Sequence, residues 1–249
     1  MTTAFGIDIG GSGIKGALVD LDKGVFIGER LRIPTPQPST PDAVATVCAQ
    51  IAQEFEIGED IPIGIDFPAP LPDGKVPWMA NLDQSWVGKN LADVMEQKIG
   101  RRVHVLNDAD AAGLAEMRYG VGKNYSGVVV VTTLGTGIGS ALFVDGTLVP
   151  NTEFGHIEVG GKDAEKRAAA SVRKKKNLSW EEWASRLERY YGTLEKMLWP
   201  SAIIVGGGVS RKHDKFLPLI SISTPLVPAQ LRNTAGIVGA AAYAFEREH

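Results

Sequence analysis

The sequence predicts an α/β protein with two related lobes, each of which opens with a β-meander. Three observations support this fold class. A glycine-packed turn between two apolar runs occurs twice, in residues 8–20 and again in residues 133–145, half a chain apart. Strand-like and helix-like segments alternate along most of the chain. The 249 residues are 44% hydrophobic, which is enough for one large core or two modest ones.

Local signals predict the elements of the first lobe in order. The pair Thr40-Pro41 supplies a helix N-cap and a proline at the first helical position, which indicates a helix that runs through Phe55. β-Rich runs before it predict three successive strands at Ala4–Ile9, Ile14–Val19 and Val25–Ile33. The apolar patterns after it predict a strand, a helix and a short strand at Ile61–Phe67, Leu91–Ile99 and Val103–Leu106.

The second lobe follows a helix predicted at Ala109–Tyr119 and begins with a very apolar strand, Gly127–Thr132, of the kind that is buried on both faces. Ser179 and Glu182 form a capping box ahead of a helical apolar stripe that runs from Trp183 to Leu198, which we expect in the core. A strand and a closing helix are predicted at Ala202–Val205 and Gly236–Glu248. We therefore predict a small lobe of residues 1–108, joined by helix 236–249, and a larger lobe of residues 109–235.

Composition excludes several classes of protein. No apolar run approaches the ~20 residues of a membrane helix, and the first strand begins at once without a basic-then-apolar leader, so we expect a cytoplasmic protein. The net charge of −3 gives no general attraction to nucleic acid or to an anionic membrane. Cys48 is the single cysteine and has the spacing of a buried helix residue, which excludes an internal disulfide and a multi-cysteine metal site.

The two glycine turns have a composition that suits anion binding. Glycine lets backbone N–H groups face an anion with no Cβ in the way. The paired turns therefore suggest two phosphate loops and phosphoryl transfer, whereas either turn alone is more typical of an ordinary hairpin. The candidate phosphate ligands are Gly10, Gly11, Ser12, Gly13 and Lys15 in the first copy, and Thr133, Gly135, Thr136 and Gly137 in the second, with Ser140 as a further hydroxyl donor.

Charged residues beside the first turn leave two interpretations open. Asp8, predicted at a strand end, could hold Mg²⁺ directly or through water, or could stabilise the turn as an Asx residue. Lys15 has the right charge for phosphate, but it could equally be a solvated residue on the outer face of its strand.

Polar residues at two other points could carry the chemistry. Asn107 and Asp108 follow an apolar strand at a helix start, where a carboxylate can accept a proton, although either residue could simply cap the helix. Glu153 and His156 offer an acceptor and a donor three residues apart, as sugar hydroxyls require, with metal binding as the alternative. The basic cluster Arg173–Lys176 is either a solvated helix face or a guide for a long polyanion.

The motifs of this chain resemble, in order and spacing, those of the ROK sugar kinases. Three further segments resemble the polyphosphate-using glucokinases of that family: residues 81–86, 178–183 and 225–233. The family motifs are Asp8-Ile9-Gly10-Gly11-Ser12, Asn107-Asp108-Ala109-Asp110, Leu134-Gly135-Thr136-Gly137, Glu153-Phe154-Gly155-His156 and Val205-Gly206-Gly207-Gly208.

The resemblance implies a two-lobed actin-like, ribonuclease-H-like fold that holds a sugar in the cleft between the lobes. It implies that Asp108 is the catalytic base and that Gly206, Gly207 and Gly208 form a loop that contacts the donor. The implied sugar ligands are Asn81, Asn107, Asp108, Glu153, His156 and Glu165.

The implied reaction is transfer of a phosphoryl group from polyphosphate, and also from ATP, to the 6-hydroxyl of glucose with Mg²⁺. Mannose as a second sugar and a homodimer are further family expectations. A strictly ATP-dependent glucokinase is the alternative, and a sugar-responsive regulator, which would carry an N-terminal helix-turn-helix domain, is a more distant one.

Two departures from the family pattern stand out. Residues 160–163 replace the cysteine-rich zinc motif of many relatives, which implies a metal-free His156 and no zinc. Residues 66–70 read Asp-Phe-Pro-Ala-Pro where relatives usually have a small or apolar residue followed by Pro-Gly.

Overall fold

A computed structural model describes residues 2–249 and divides them into two compact units. Unit 1 contains residues 2–115 together with Thr234–His249, and unit 2 contains Glu116–Asn233. The division falls inside a helix, a few residues after the boundary that we predicted at residue 108. Where the lobes separate as folding units stays a prediction.

Unit 1 is built on a five-stranded mixed sheet with the strand order β3-β2-β1-β4-β5. The first three strands pair antiparallel, and β4 and β5 are added parallel to β1. The strands are β1 (Thr3–Gly10), β2 (Gly13–Asp20), β3 (Val25–Ile33), β4 (Ile63–Phe67) and β5 (His104–Asn107), and the helices up to the boundary are α1 (Pro41–Glu54), α2 (Leu91–Ile99) and α3 (Asp108–Tyr119).

Unit 2 repeats this topology in a second sheet with the order β10-β9-β6-β7-β8. Again a three-stranded antiparallel meander is extended by two parallel strands. The elements are β6 (Val128–Leu134), β7 (Ile138–Val144), β8 (Thr147–Val149), α4 (Glu165–Ala168), α5 (Ala170–Lys175), α6 (Trp180–Leu198), β9 (Ala202–Gly206) and β10 (Leu226–Pro228), and the chain closes with α7 (Ala235–Glu248) in unit 1. The duplicated meander that the two glycine turns predict is present.

The structure adds two features that the sequence pattern did not predict. β10 has only three residues, too few for an alternating pattern, and it is recognisable only by its pairing with β9. The small-residue segment after Ala164 is not one helix, because Ala169 is extended with ψ near 151° and separates α4 from α5. Arg173 to Lys175 therefore lie on α5, a six-residue helix that starts anew after this break.

Helix α7 packs on β1, β4 and β5 of unit 1 at very short range. A Cβ added to Gly6 or Gly64 would overlap a backbone carbonyl of α7, and one added to Gly239 of α7 would overlap the carbonyl of Ala111 on α3. Cys48 is fully buried on α1, as its spacing predicts, and burial raises the pKa of its thiol. Among residues 2–249, no helix combines the length and the apolar character needed to cross a membrane.

Candidate active site

The first glycine loop is a tight hairpin turn between β1 and β2, closed by pairing of Gly10 with Gly13. Two side chains from β3 and the segment after it hold the loop. The Arg32 guanidinium donates to the carbonyl of Ser12 (2.8 Å), and the Thr35 hydroxyl donates to the carbonyl of Gly10 (2.5 Å). No sequence signal marks these two anchors, because they are distant in the chain and have no motif spacing.

Asp8 lies inside β1, in register with Lys15 of β2 and Asp66 of β4. It does not lie at the strand end, where we predicted it, because pairing with β2 continues to Gly10. Lys15 Nζ lies 2.6 Å from Asp8 Oδ2. Lys15 is therefore an ion-pair partner that offsets the charge of Asp8, rather than a fully solvated side chain.

Asp66 is a buried carboxyl group next to this ion pair. It is fully buried, and neither of its carboxyl oxygens has a hydrogen-bond partner among residues 2–249. Burial, and then the charges of Asp8 and Asp108, raise the pKa of Asp66 well above its ordinary value. The three aspartates of unit 1 are thus near enough for their charges to interact.

Asn107 and Asp108 occupy the junction between β5 and α3. Asn107 is buried, and its side-chain oxygen accepts the backbone N–H groups of Ala109 (2.9 Å) and Asp110 (3.1 Å), so it caps the helix. Its side-chain NH₂ group is the part left to contact a ligand. Asp108 is exposed at the first position of α3, where the helix dipole favours a negative charge.

The second glycine loop joins β6 to β7 and is held by residues 165 and 171. The N–H of Gly135 donates to the carbonyl of Gly137 (3.0 Å), so that amide is used inside the turn. Glu165 accepts the N–H of Ile138 (2.8 Å), and a Cβ on Gly137 would overlap its carboxylate. The Ser171 hydroxyl donates to the carbonyl of Thr136 (2.5 Å), which fastens α5 to the same loop.

Glu153 and His156 lie on a short turn that is fixed to β7. Ser140 donates its hydroxyl to the carbonyl of Thr152 (2.7 Å) and accepts the N–H of Phe154 (2.8 Å). The hydroxyl of Ser140 therefore anchors this turn, which corrects the suggestion that it serves as a phosphate donor. Gly155 is needed here, since a Cβ would overlap the carbonyl of Ile138.

His156 is oriented by a carboxylate that the sequence motifs did not assign to the site. Its Nδ1 lies 3.0 Å from Asp163 Oδ2, and its Nε2 lies 3.9 Å from Glu153 Oε2. The hydrogen bond with Asp163 is the main reason that the pKa of His156 is raised, whereas burial is the main reason that the pKa of Glu153 is raised. Glu165 contributes to both pKa values, so Glu153, His156 and Glu165 lie close together in unit 2.

Gly206, Gly207 and Gly208, at the end of β9, form a third glycine segment. This segment lies against the second glycine loop. Gly207 has a φ of +80°, and a Cβ at this position would overlap the backbone of Leu134. A pocket of about 470 Å³ borders both segments, including Gly135, Thr136 and Gly208. Four cationic side chains and one indole ring complete its wall: Arg173, Lys174, Arg211, Lys212 and Trp180.

The structure thus places the predicted residues in two groups. Unit 1 holds Asp8, Lys15, Asn107 and Asp108, with exposed Asn81 reaching the first glycine loop through its backbone. Unit 2 holds Glu153, His156 and Glu165 together with the second and third glycine segments. Among residues 2–249, no group of three or more His, Cys, Asp and Glu side chains has the arrangement of a metal site.

Comparison with known proteins identifies the family of the chain. The sequence model of the ROK family matches residues 4–169. The chain belongs to the ROK family. Polyphosphate glucokinase of Mycobacterium tuberculosis (strain CDC 1551 / Oshkosh) is 54% identical to it over 238 residues, which cover 95% of this chain and 89% of the relative.

Solved structures of ROK proteins confirm the predicted fold class. Inorganic polyphosphate/ATP-glucomannokinase from Arthrobacter sp. strain KM matches with a TM-score of 0.92 and 48% identity, over 99% of this chain and 100% of that one. A ROK family glucokinase from Streptomyces griseus, in complex with glucose and AMPPNP, matches with a TM-score of 0.83 and 26% identity, over 98% and 99% of the two chains. The actin-like α/β fold with its duplicated meander is therefore that of a ROK sugar kinase.

Proposed function

We propose that this ROK protein transfers the terminal phosphoryl group of inorganic polyphosphate to the 6-hydroxyl of glucose, producing glucose 6-phosphate. The observation that carries the proposal is the pocket beside the second glycine loop, whose wall includes Arg173, Lys174, Arg211 and Lys212. A chain with a net charge of −3 must concentrate cations locally to hold a polyanion, and this pocket does so. The 54% identity to a polyphosphate glucokinase supports the same donor.

ATP is the second donor that we propose, and mannose the second sugar. The Arthrobacter protein is named for both donors and for both sugars, and the Streptomyces griseus glucokinase was crystallised with an ATP analogue. The third glycine segment borders the same pocket as the cationic side chains, so one entrance serves either donor. In a strictly ATP-dependent enzyme, the four cationic side chains beside the second glycine loop would have few phosphate groups to bind.

Asp108 is the proposed catalytic base. Phosphoryl transfer passes through a loose transition state, so the base has to position the attacking hydroxyl and take up its proton late, which a carboxylate can do. The exposed position of Asp108 at the start of α3 leaves its carboxylate accessible to a substrate hydroxyl. Asn107 supports this geometry by capping the same helix, and its NH₂ group donates to the sugar.

Unit 2 supplies the remaining sugar contacts that we propose. Glu153 and Glu165 accept hydrogen bonds from sugar hydroxyls. His156, whose Nδ1–H is held by Asp163, donates through Nε2 in its protonated form, which its raised pKa favours. Glu165 also accepts the N–H of Ile138, beside the second glycine loop. One carboxylate therefore contacts the sugar and holds the loop that faces the donor. Asn81 is a further contact from unit 1.

The residues around Asp8 suit Mg²⁺. Mg²⁺ prefers oxygen ligands and is usually bound by one or two carboxylates together with water and substrate phosphates. The carboxyl oxygens of Asp66, buried without a hydrogen-bond partner next to Asp8, are an oxygen-rich environment of this type. Asp8 would hold the ion directly or through water, and the ion would offset charge on the transferred phosphoryl group. The first glycine loop and Lys15 would contact phosphate oxygens.

We further propose, from the family resemblance, that the enzyme acts as a homodimer in the cytoplasm. Gel filtration with light scattering tests the dimer directly. A single peak of monomer mass at micromolar concentration would contradict it.

A donor comparison tests the proposed reaction. Purified protein, glucose and Mg²⁺ are incubated with polyphosphate or with ATP, and glucose 6-phosphate is measured with a coupled dehydrogenase. We expect product with both donors and a higher kcat/KM with polyphosphate. Product with ATP alone would reject the polyphosphate assignment, and running the assay with mannose tests the second sugar.

A further inference from the structure

The indole ring of Trp180 is a flat aromatic surface in the proposed donor pocket, and a cation covers it. The guanidinium carbon of Arg173 lies 3.5 Å from the centroid of the Trp180 ring, within direct contact. Lys215 Nζ is 6.0 Å from the same ring, and Phe216 lies nearly parallel to it at 14°. The ring is therefore already occupied by side chains of this chain.

The backbone on either side of Arg173 is held by hydrogen bonds. The N–H of Ser171 donates to the carbonyl of Gly135 (3.0 Å), and the N–H of Leu178 donates to the carbonyl of Arg173 (3.0 Å). The first of these bonds connects the backbone beside Arg173 to the second glycine loop. Stacking on Trp180 then places the guanidinium on the wall of the same pocket.

Arg173 is only partly buried and lines the wall of the pocket, so its guanidinium can meet an anionic ligand there. Its Nε atom is buried and has no hydrogen-bond partner within residues 2–249, so no carboxylate or carbonyl of the described chain neutralises the group at that atom. Phosphate oxygens are the acceptors that an arginine fork fits best.

The two donors have different chemistry beyond their terminal phosphates. Polyphosphate continues with further anionic groups, whereas ATP continues with a neutral ribose and a flat adenine ring. An adenine gains stability from an open aromatic face, which Arg173 occupies at Trp180. An anionic chain instead gains from the cation itself.

We propose that Arg173, stacked on Trp180, determines donor specificity by favouring polyphosphate over ATP, a conclusion that rests on the function proposed above. Arg173 binds an inner phosphate of the polyphosphate chain. Its guanidinium also covers the indole face of Trp180, so an adenine ring cannot stack there.

Arg173→Ala tests this directly through kcat/KM measured separately for polyphosphate and for ATP. Loss of a charge-assisted hydrogen bond should lower kcat/KM for polyphosphate roughly tenfold or more. The value for ATP should stay unchanged or rise, because the indole becomes accessible. The ratio of the two values is independent of the folded fraction, so partial misfolding of the variant cannot mimic the result.

Two further variants sharpen the test. Arg247→Ala is the matched control, since Arg247 also lies near an aromatic ring, 5.9 Å from that of Tyr243, but belongs to α7 in unit 1. It removes the same charge and should keep the donor ratio of the original chain. Arg173→Met keeps a long side chain over the indole without the charge, and should lose efficiency with polyphosphate without any gain with ATP.

An unchanged donor ratio in Arg173→Ala, or an equal loss with both donors, would overturn the proposal. Full efficiency of Arg173→Met with polyphosphate would do the same. These outcomes are distinct from failure of the proposed function, which would appear as absence of product from polyphosphate in the unsubstituted protein.

Discussion

At the residue scale, Asn107 and Asp108 have adjacent but different tasks. The sequence left open whether either residue caps α3 or serves the substrate. The buried amide of Asn107 accepts two backbone N–H groups and is the cap, whereas Asp108 is exposed and is the residue that we propose for the chemistry. Capping of α3 and a role in the reaction are therefore compatible at this junction, because Asn107 caps the helix and Asp108 is not needed for the cap.

Asp108→Asn is expected to keep glucose binding and to lower kcat by at least ~10²-fold, because an amide cannot take up the proton. Steady-state kinetics measures the rate, and calorimetric titration with glucose measures binding. Asp93→Asn, which alters an exposed first-turn aspartate of α2, is the control and should retain full activity. Near-normal turnover of Asp108→Asn would reject the base assignment.

Asp163→Asn is expected to lower the pKa of His156 toward its ordinary value of about 6.5. The hydrogen bond with Asp163 raises the folded-state pKa, so its contribution to the free energy of unfolding is complete below about pH 6.5 and is lost as the pH rises through the raised value. An NMR titration of the histidine rings measures the shift, with the remaining histidines as internal references. An unchanged His156 pKa in the variant would show that Asp163 does not hold the ring.

At the scale of elements, the second glycine loop depends on partners from the segment that comes after it in the chain. Glu165 at the start of α4 accepts the N–H of Ile138, and Ser171 on α5 donates to the carbonyl of Thr136. The break at Ala169 allows both contacts, because a continuous helix would point residues 165 and 171 in different directions. The loop is therefore pre-organised by side chains rather than by glycine alone.

Gly137→Ala is expected to displace the Glu165 carboxylate and to free the N–H of Ile138, lowering kcat/KM for glucose at least ~tenfold through misplacement of the sugar ligand and the loop. The fold should survive, since the displaced group is the end of a flexible side chain. Gly192→Ala on α6, where a Cβ meets only Ile222 at 3.9 Å, is the matched control and should leave kinetics unchanged. Ordinary kinetics for Gly137→Ala would contradict this account of the loop.

At the scale of the whole molecule, the chain returns to its first unit at the end. α7 covers β1 and β4, and contact between Gly64 and the backbone of Ala240 brings helix and sheet closer than any side chain would allow. Glycines on the strands, Gly6 and Gly64, opposite an alanine-rich helix are the sequence counterpart of this packing. The first unit is therefore complete only after the last helix has been made.

Gly64→Ala is expected to lower the free energy of unfolding by at least ~2 kcal/mol, because its Cβ forces α7 away from the sheet. Deletion of residues 235–249 should expose the covered face of β1 and β4 and abolish cooperative unfolding of unit 1. Denaturant titration, together with hydrogen exchange at β1 and β4 amides, measures both effects. Protected β1 amides in the deletion variant would contradict this role for α7.

Much of the fold was predictable because its signals are local. Helix caps, strand periodicity and the repeated glycine turn depend on residues close in the chain, so the three-stranded meanders and the position of Asn107-Asp108 could be predicted from them. β10 and the break at Ala169 could not. The first depends on pairing with a distant strand and the second on a backbone angle that small residues do not specify.

The sequence by itself determined the family, the duplicated architecture and the residue types of the site, since these are encoded in short motifs whose order is preserved. Only the tertiary structure decided how these residues are used. It paired Lys15 with Asp8, buried Asp66 beside them, joined Asp163 to His156, and brought Arg173 onto Trp180 in a pocket with Arg211 and Lys212. None of these contacts lies within a single helix or strand, so no helical or strand periodicity predicts them, and their energies depend on distances and burial that exist only after folding.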